Sequence, residues 1–386
     1  MRMPILNAID SIRNDLIHFA QDLVCFRSYT GEERSIAFFV KEKMEQLDYD
    51  EVLMDSMGNV LGMLGDGNTS GILLDSHMDT VPAGDEENWK WAPFGGNLED
   101  GVLYGRGAAD MKCGLAAAVY AGHVLKLLGL TKGRRIYISI TVMEEDYDGV
   151  ALRHLIEENN LYLTAAIMCE PTDLKVGIGH SGRALIQVET WGKSAHASHP
   201  ELGDNAINTA AEIAKRVMEL NGRISGTAVV TTMHSRETSN NSIPASAFML
   251  IDRRLTFQEN EAYLKREMDD LMEGFNASWS ISDIHGKTWT GSDIVLHSFL
   301  PAWEISQGHP LVQAAFSAVR NMTEQEPQAV TFSFSTNATA TAAQLSIPTL
   351  ILGPGKTEEA HMVNEKCRVD QMVEACKVYA HLCANY

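Results

Sequence analysis

Side chains that can bind metal ions follow four apolar segments of the chain, at or just after the point where each segment ends. Each segment is short and rich in Ile, Leu, Val or Ala, which is typical of a buried strand. Because sites in open α/β sheets form at the carboxyl ends of strands, these side chains would meet at one edge if the segments share a sheet. The groups are His77 and Asp79 after Gly71–Asp75, Glu144 and Glu145 after Arg135–Met143, Glu170 after Ala165–Cys169, and His361 in the loop after Pro348–Leu352.

The residue types in these groups suit zinc and its neighbours, because imidazole and carboxylate bind such ions without any thiolate. His77 and Asp79 are two residues apart at a strand end, so Asp79 is well placed to orient the histidine ring. Of the adjacent carboxylates Glu144 and Glu145, one can bind a metal while the other acts as a general base. This combination is typical of metal-assisted hydrolysis.

Asp110 is a further candidate, because it follows Gly105-Arg106-Gly107 at the predicted start of a helix over Met111–Gly129. An aspartate at that position can equally be a plain helix N-cap. Each of the other groups, taken alone, also fits a hydrogen-bonded structural pair or a solvated turn. Their joint placement after strand ends, and not any one group alone, indicates a functional site.

The elements that carry these groups form two separate stretches of the chain. Strand and helix patterns alternate over 1–180 and again over 293–386, which predicts one α/β domain with a mixed, largely parallel sheet. Residues 181–292 instead have the order β-α-β-β-α-β of a compact α+β, ferredoxin-like unit. We therefore expect an α/β domain that an inserted smaller domain interrupts. The predicted elements of the inserted domain are strands at Arg183–Trp191, Thr227–Met233, Ala245–Arg254 and Ser278–His285, with helices at Asp204–Leu220 and Glu259–Met272.

Composition excludes several other classes of protein. The chain has 386 residues, of which 45% are hydrophobic and 21% charged, as in a globular protein of two or three domains. A net charge of −20 without a basic run argues against nucleic acid as a partner. No apolar stretch reaches about 18 residues, so no membrane span is expected. Met1–Cys25 lacks the pattern of a signal peptide, and the six cysteines form no Cys-x-x-Cys pair, which predicts a cytoplasmic protein with free thiols.

Five motifs, in order over nearly the whole chain, resemble those of one enzyme family. They are Ser76–Pro82, Gly105–Gly107 with Asp110–Lys112, Glu144-Glu145, Glu170–Thr172, and Gly353–Gly355 with Ala360-His361 and Asn364-Glu365. The family is the M20 group of dinuclear zinc peptidases and deacylases, which includes acetylornithine deacetylase and succinyl-diaminopimelate desuccinylase. Within it, Trp289–Gly291, Thr331–Asn337 and Gly353–Lys356 look most like a bacterial branch of hydrolases associated with selenium metabolism.

The resemblance implies a zinc-peptidase-like catalytic domain that holds two divalent ions, with zinc preferred and cobalt or manganese as alternatives. His77, Asp110 and Glu170 would bind one ion, and Asp110, Glu145 and His361 the other, with Asp110 as the bridge. Glu144 would be the general base and Asp79 the orienter of His77. The implied reaction is amide hydrolysis by a hydroxide held between the metals.

The resemblance also extends to the inserted unit, which would serve as a dimerisation or lid domain. His196 resembles a histidine that reaches the active site from the partner subunit in dimeric members, where it would stabilise the oxyanion. Asn241 and Arg254 resemble residues that hold the substrate carboxylate, and Arg183 is a further candidate for that role. The implied assembly is a homodimer through the inserted domain. Taken without the resemblance, His196 reads as a surface loop histidine and Arg254 as a solvated charge.

One motif is a decoy. Gly177–Gly182 satisfies G-x-G-x-x-G, but a dinucleotide site needs a helix to follow, and Arg183–Trp191 alternates like a strand. We therefore expect no nicotinamide cofactor.

The sequence leaves the substrate open. The main hypothesis is hydrolysis of an amide bond in an N-acyl amino acid or dipeptide-like molecule with a free carboxylate. The alternatives are carbamoyl-amide hydrolysis of a ureido compound by the same groups, or a non-catalytic binding protein on this scaffold. The full set of ligand residues together with Glu144 argues against the last alternative.

Overall fold

The computed structural model describes residues 2–67, 71–236 and 239–386. Met1, 68–70 and 237–238 fall within the predicted domain ranges but lie outside the described residues.

The α-helices are α1 (Arg2–Val24), α2 (Arg34–Gln46), α3 (Cys113–Leu127), α4 (Glu144–Tyr147), α5 (Val150–Glu158), α6 (Ala206–Leu220), α7 (Glu261–Met272), α8 (Pro310–Met322) and α9 (Val369–Asn385). The strands are β1 (Glu51–Met54), β2 (Val60–Leu64), β3 (Gly71–His77), β4 (Asn97–Glu99), β5 (Val102–Tyr104), β6 (Ile136–Thr141), β7 (Leu163–Met168), β8 (Val176–His180), β9 (Gly182–Trp191), β10 (Ala195–His196), β11 (Thr227–Ser235), β12 (Ser242–Ile243), β13 (Ser246–Leu255), β14 (Ala277–Ile281), β15 (Asp283–Lys287), β16 (Asp293–His297), β17 (Phe299–Leu300), β18 (Trp303–Glu304), β19 (Ala329–Phe332), β20 (Thr349–Ile351) and β21 (Lys366–Arg368).

The larger unit is built on a mixed sheet of strand order β1-β2-β6-β3-β7-β20-β8-β18, with β19 also paired to β8. The four central strands β6, β3, β7 and β20 run parallel, as does the β19–β8 pair, whereas the remaining pairs are antiparallel. The prediction of a mixed α/β sheet is confirmed, with parallel pairing concentrated at its centre. Because the central strands are parallel, their carboxyl ends share one edge.

Helices cover both faces of this sheet, which explains why the central strands β3, β6 and β20 are buried along their whole length. On β3, Ile72 and Leu74 pack with α1, α3, α8 and α9 on one face, and Leu73 packs with α5 on the other. Helix α3 is buried on nearly every side, so it lies in the middle of its helical layer. The sheet is therefore a rigid support for whatever follows its strands.

The inserted unit is an antiparallel sheet of order β11-β13-β9-β14, with α6 and α7 packed on one face. This arrangement confirms the predicted β-α-β-β-α-β order. Burial alternates strictly along β9 and β13, so one face of the sheet packs on the helices and the other stays open.

The chain passes between the two units at several points. The predicted strand Ser278–His285 is in fact two strands, because β14 pairs with β9 while β15 pairs with β16. Ile294 and Leu296 of β16 pack in the core of the larger unit, and β17 then returns to pair with β9. Gly182 lies at this crossing, where a Cβ atom would come within 2.6 Å of the backbone of Leu300 and Ala302. The domain boundaries at 180 and 293 stay a prediction.

The glycine motif, the cysteines and the length of the helices were also subjects of prediction. The residues of the decoy motif lie in β8 and at the start of β9, so a strand rather than a helix follows the glycines. All six cysteines are free thiols, and only Cys25 is exposed. Within 2–67, 71–236 and 239–386, no helix has both the length and the apolar character needed to cross a membrane.

Candidate metal centre

The predicted metal-binding side chains meet at the carboxyl edge of the parallel strands. His77 is the last residue of β3, and it lies opposite Thr141 at the end of β6. Two residues beyond Thr141, Met143 adopts a left-handed backbone with φ +61°, and α4 begins directly after it at Glu144. Ile351 of β20 lies level with Met168 of β7, so the loops to His361 and Glu170 leave from the same edge. The strand register thus brings together groups that are far apart in sequence.

His77 lies at the centre of this cluster and is 1% exposed. Its Nε2 atom is 3.0 Å from Oδ1 of Asp110 and 3.9 Å from a carboxylate oxygen of both Glu144 and Glu170. Its Nδ1 atom is 3.0 Å from the backbone oxygen of Asp79 and 3.4 Å from the Asp79 carboxylate. One ring nitrogen therefore faces Asp79 while the other faces the acidic groups.

The fully buried Asp79 carboxylate also binds the backbone of the two adjacent glutamates. Its two oxygens accept the backbone N–H groups of Glu144, at 3.0 Å, and Glu145, at 3.1 Å. Thr30 adds a hydroxyl hydrogen bond of 2.9 Å. A carboxylate at the N-terminus of a helical turn satisfies free N–H groups and is electrostatically favourable there. Asp79 thus links His77 to the start of α4.

His361 forms the second half of the cluster. Its Nε2 atom lies 3.0 Å from Glu145 and 3.4 Å from Oδ2 of Asp110, so Asp110 stands between the two histidines. Hydrogen bonds to Asp110 and Glu145 raise the pKa of His361 to about 10. Burial opposes ionisation of Asp110, but hydrogen bonds from His361 and His77 hold the pKa of Asp110 well below its usual range.

The donor set fits divalent cations. Burial raises the pKa of Glu145 to about 7 and that of Glu144 and Glu170 well above their usual range. Oε1 of Glu145 is buried and has no hydrogen-bond partner among the described residues. Crowded, buried carboxylates repel one another, and bound cations would remove this penalty. Ligand atoms lie within 4.8 Å of one another in two groups, His77 with Glu144 and Glu170, and His77 with Asp110 and Glu145.

A buried ion pair, to which the sequence alone gave no role, fixes the loop that carries Asp110. Glu365 accepts the backbone N–H groups of Ala109, at 2.9 Å, and Asp110, at 3.0 Å. Arg106 binds the other oxygen of Glu365 at 2.5 Å and donates to the backbone oxygen of His361. The pair therefore connects the Asp110 loop to the His361 loop. Arg106 lies in the motif Gly105–Gly107 and Glu365 in the motif Asn364-Glu365, so the motifs are the sequence signal that could have identified them.

A cavity of about 320 Å³ opens beside the cluster, between the two units. Arg183 and Arg254 line it from the open face of the inserted sheet, where they are directly opposite each other on β9 and β13. Asp252 holds both, at 3.0 Å from Arg183 Nε and 2.8 Å from Arg254 Nε. The structure thus brings these two candidates to the metal-binding groups. Lining residues from the larger unit include Asp110, Glu144, Glu145, Asp148, Glu170, Phe334, Ser335, Thr336 and His361.

The structure does not bring His196 or Asn241 to this cavity. Both are exposed and lie next to each other at the small β10–β12 ladder, where Ala197 N–H donates to the Asn241 backbone oxygen. In the part of the chain that the structure describes, the His196 ring forms hydrogen bonds only with Ser198, at 2.7 Å to its hydroxyl and 3.1 Å to its backbone N–H.

Further side chains around the site were missed by sequence reasoning. Asn337 donates to Asp75 at 2.8 Å and to Thr141 at 3.0 Å, and its oxygen accepts the Gly149 N–H at 2.8 Å. Glu33 accepts the Met143 N–H at 3.0 Å and so supports the turn before Glu144. Asn337 belongs to the segment Thr331–Asn337 that stood out in the sequence, but its spacing gave no hint of these partners.

Comparison with known proteins places the chain in a family. The model of peptidase family M20/M25/M40 matches residues 73–385. The Escherichia coli K12 protein YgeY is 33% identical over 385 residues, covering 97% of this chain and 95% of that protein. Acetylornithine deacetylase of Vibrio cholerae serotype O1 is 28% identical over 316 residues, covering 80% of this chain and 79% of that enzyme.

The fold is also that of solved structures in this family. The Bacillus subtilis YXEP protein, described as a dinuclear metal binding peptidase from the M20 family, superposes with a TM-score of 0.71 at 16% identity. The match covers 97% of this chain and 98% of that protein. The family match over most of the sequence, together with the similar proteins above, establishes that the chain belongs to peptidase family M20/M25/M40 and is a hydrolase.

Proposed function

We propose that the protein hydrolyses an amide bond in a small N-acyl amino acid or dipeptide-like substrate, with two divalent cations and with Glu144 as the general base. The observation that carries this proposal is the cavity itself. One wall holds Glu144 among the histidines and carboxylates, and the facing wall holds Arg183 and Arg254. A candidate acid-base group and a candidate carboxylate-binding group therefore line the same small cavity.

The proposed ligand sets are His77, Asp110 and Glu170 for one cation and Asp110, Glu145 and His361 for the other. Their mutual contacts of 3.0 to 3.9 Å support this assignment. When bound, such ions polarise the amide carbonyl and make water more acidic, and zinc is the ion that the donor set favours. Asp79 keeps Nδ1 of His77 occupied, which leaves Nε2 free to face the ligand carboxylates.

Glu144 is suited to move protons because its Oε2 atom lies within the cluster without being tied to a single partner. The Asp79–Glu144 backbone hydrogen bond fixes the position of the residue, so the carboxylate can take a proton from the attacking water and return it to the leaving amine. Arg254, with Arg183 beside it, would grip the substrate carboxylate through paired N–H donors.

We also propose a homodimer through the inserted unit, in which His196 reaches the active site of the partner subunit and stabilises the oxyanion. Two observations support this role: His196 is exposed, and it is not among the residues that line the cavity of its own chain. The same unit exposes apolar side chains, Val229 and Met233 on β11 and Ile207 and Met218 on α6, and a second copy that packed on either element would cover some of them.

The test measures free-amine release from N-acyl amino acids, dipeptides and ureido acids after separate loading with zinc, manganese and cobalt. We expect metal-dependent release of the first two classes, with a loss of about 100- to 10,000-fold in Glu144→Ala. Asp146→Asn is the matched control, because Asp146 is an exposed carboxylate on the same turn. Release confined to ureido acids would instead favour the alternative function, carbamoyl-amide hydrolysis of a ureido compound. No release from any class by protein that binds metal would refute it.

A further inference from the structure

Asp148 is a half-buried carboxylate on the cavity wall that the proposed function does not use. It accepts one side-chain hydrogen bond, from Ser335 Oγ at 2.6 Å. Within the described residues, no lysine or arginine forms an ion pair with it, although Arg183 and Arg254 line the same cavity. A desolvated carboxylate with a single neutral donor has unsatisfied acceptor capacity.

Two other aspartates near the centre, Asp79 and Asp75, accept more hydrogen bonds than Asp148 does. Asp79 accepts three hydrogen bonds, from two backbone N–H groups and Thr30, and Asp75 is held by Ser139 and Asn337. Asp148 does not serve as a helix cap either. Gly149 is the N-cap residue of α5, no side chain caps that helix, and the Gly149 N–H goes to Asn337.

The two walls of the cavity therefore carry opposite charges. Arg183 and Arg254 share one carboxylate, Asp252, so one positive charge on that wall is not balanced there. Asp148 supplies a negative charge from the larger unit. The volume of about 320 Å³ lies at the lower end of the range for small-molecule sites, which fits a molecule of amino-acid size.

We infer that this cavity selects a zwitterionic substrate, whose ammonium group binds Asp148 while its carboxylate binds Arg254 and Arg183. The inference rests on the proposed amide hydrolysis and names the class of substrate for that site. Ser335 is a positioning residue, because its hydroxyl fixes one oxygen of Asp148. Asn337 anchors the same segment to β3 and β6, and so holds Ser335 in place.

Three compounds that share one skeleton test the inference. N-acetylnorvaline carries only the carboxylate, glycylnorvaline adds an ammonium on the acyl side, and Nα-acetylornithine adds one on the amino-acid side chain. We expect kcat/KM for one of the two ammonium compounds to exceed that for N-acetylnorvaline by about 10- to 100-fold. Asp148→Asn should abolish this preference, because kcat/KM for the preferred ammonium compound should fall to the value that the same variant shows for N-acetylnorvaline. Asp148→Glu should retain part of the preference, and Asp146→Asn should retain all of it.

The outcomes separate this inference from the proposed function. Equal hydrolysis of all three compounds, lost in Glu144→Ala, would overturn the inference and leave the amidohydrolase standing. A uniform loss in Asp148→Asn would also overturn it, because Asp148 would then pair with the arginines rather than with substrate. If none of the compounds is hydrolysed, calorimetric binding of the same three compounds to the zinc-loaded protein decides. Tighter binding of one of the two ammonium compounds than of N-acetylnorvaline, lost in Asp148→Asn, would support the inference, and equal binding of all three would overturn it.

Discussion

The larger unit and the inserted unit place their predicted site residues in different ways. In the larger unit, His77, Asp79, Glu144 and Glu170 are buried and contact one another at the end of a parallel sheet. In the inserted unit, Arg183 and Arg254 reach the cavity from an open sheet face, whereas His196 and Asn241 stay on the surface. The larger unit therefore brings its predicted site residues together within one chain, whereas the inserted unit leaves two of its four on the surface.

The difference follows from sheet geometry. Parallel strands that are covered on both faces end at one edge, so every group that follows a strand is collected there. An antiparallel sheet with one open face sends neighbouring residues to opposite sides. Arg253 and Arg254 on β13 show this directly, because Arg253 is buried against Glu259 and Glu267 while Arg254 lines the cavity. Position in the pleat, and not residue type, separates an arginine that is buried in the unit from one that lines the cavity.

The largest expected effect comes from Asp110, the carboxylate between the two histidines. Asp110→Ala should lose at least one of the two proposed ions and reduce activity by about 1,000-fold or more, because the cation chemistry depends on both sites. Elemental analysis of the purified protein checks metal content, and the amine-release assay checks activity. Asp15→Asn on the exposed face of α1 is the control. Retention of both ions by Asp110→Ala would contradict the assignment.

The next largest effect tests whether the inserted unit acts across subunits. His196→Ala should lose about 100- to 1,000-fold in kcat, which is typical for removal of an oxyanion donor. Mixing it with Glu144→Ala under conditions of subunit exchange should restore roughly a quarter of the activity, since half of a random mixture is heterodimer with one intact site. A mixture of Glu144→Ala with Asp110→Ala, both within one chain's site, should restore none. Recovery in neither mixture would count against a shared active site.

The adjacent arginines give a third test of the comparison. Arg254→Met should raise KM for carboxylate substrates by about 10- to 100-fold without lowering stability. Arg253→Met should instead destabilise the fold by about 3–5 kcal/mol, because two buried glutamates lose their partner. Steady-state kinetics and denaturant unfolding distinguish the two. If both variants changed KM and neither changed stability, the assignment of the two sheet faces would be wrong.

A smaller effect is expected from Glu365, which acts on the centre only through the Asp110 loop. Glu365→Gln should weaken metal binding by about 10-fold, at the lower end of the range for groups that support ligands, because the amide oxygen can still accept a hydrogen bond. Competition with a chelator measures the affinity. Glu358→Gln, an exposed carboxylate near the same loop, should have no effect. Equal metal affinity in Glu365→Gln and the wild type would show that the loop does not need this anchor.

The last prediction concerns pH and lies away from the metal centre. Burial lowers the pKa of His180 to about 4, against about 6.5 in an unfolded chain. Between these values the unfolded chain binds a proton that the folded chain excludes. The free energy of unfolding should therefore fall by up to about 3 kcal/mol as the pH drops through this window.

His180→Asn should flatten this pH dependence, whereas His199→Asn, at an exposed histidine, should leave it unchanged. Urea unfolding at several pH values provides the measurement, and activity at neutral pH should not change. An identical slope in His180→Asn and the wild type would mean that other groups control acid stability.

The predicted α/β fold, with its inserted β-α-β-β-α-β unit, could be derived from the sequence because apolar periodicity is a local property that reports strands and helices directly. The break of the predicted strand Ser278–His285 into β14 and β15 could not, since both halves alternate alike and only their partners differ. In the same way, the chain's own pattern pointed to His77, Glu144 and Glu170 after strand ends. The hydrogen bonds that Asn337 donates and those that Glu365 accepts had no local signature.

By itself, the sequence determined which residues are candidates for chemistry and that they follow strand ends, because residue type and periodicity are local properties of the chain. Only the tertiary structure decided which of them meet. It brought His361 to Glu145, turned Arg254 to the cavity and Arg253 to the core, left His196 on the surface, and placed Asp148 opposite the arginines. These outcomes depend on strand register and on contacts between residues far apart in sequence, which no local pattern records.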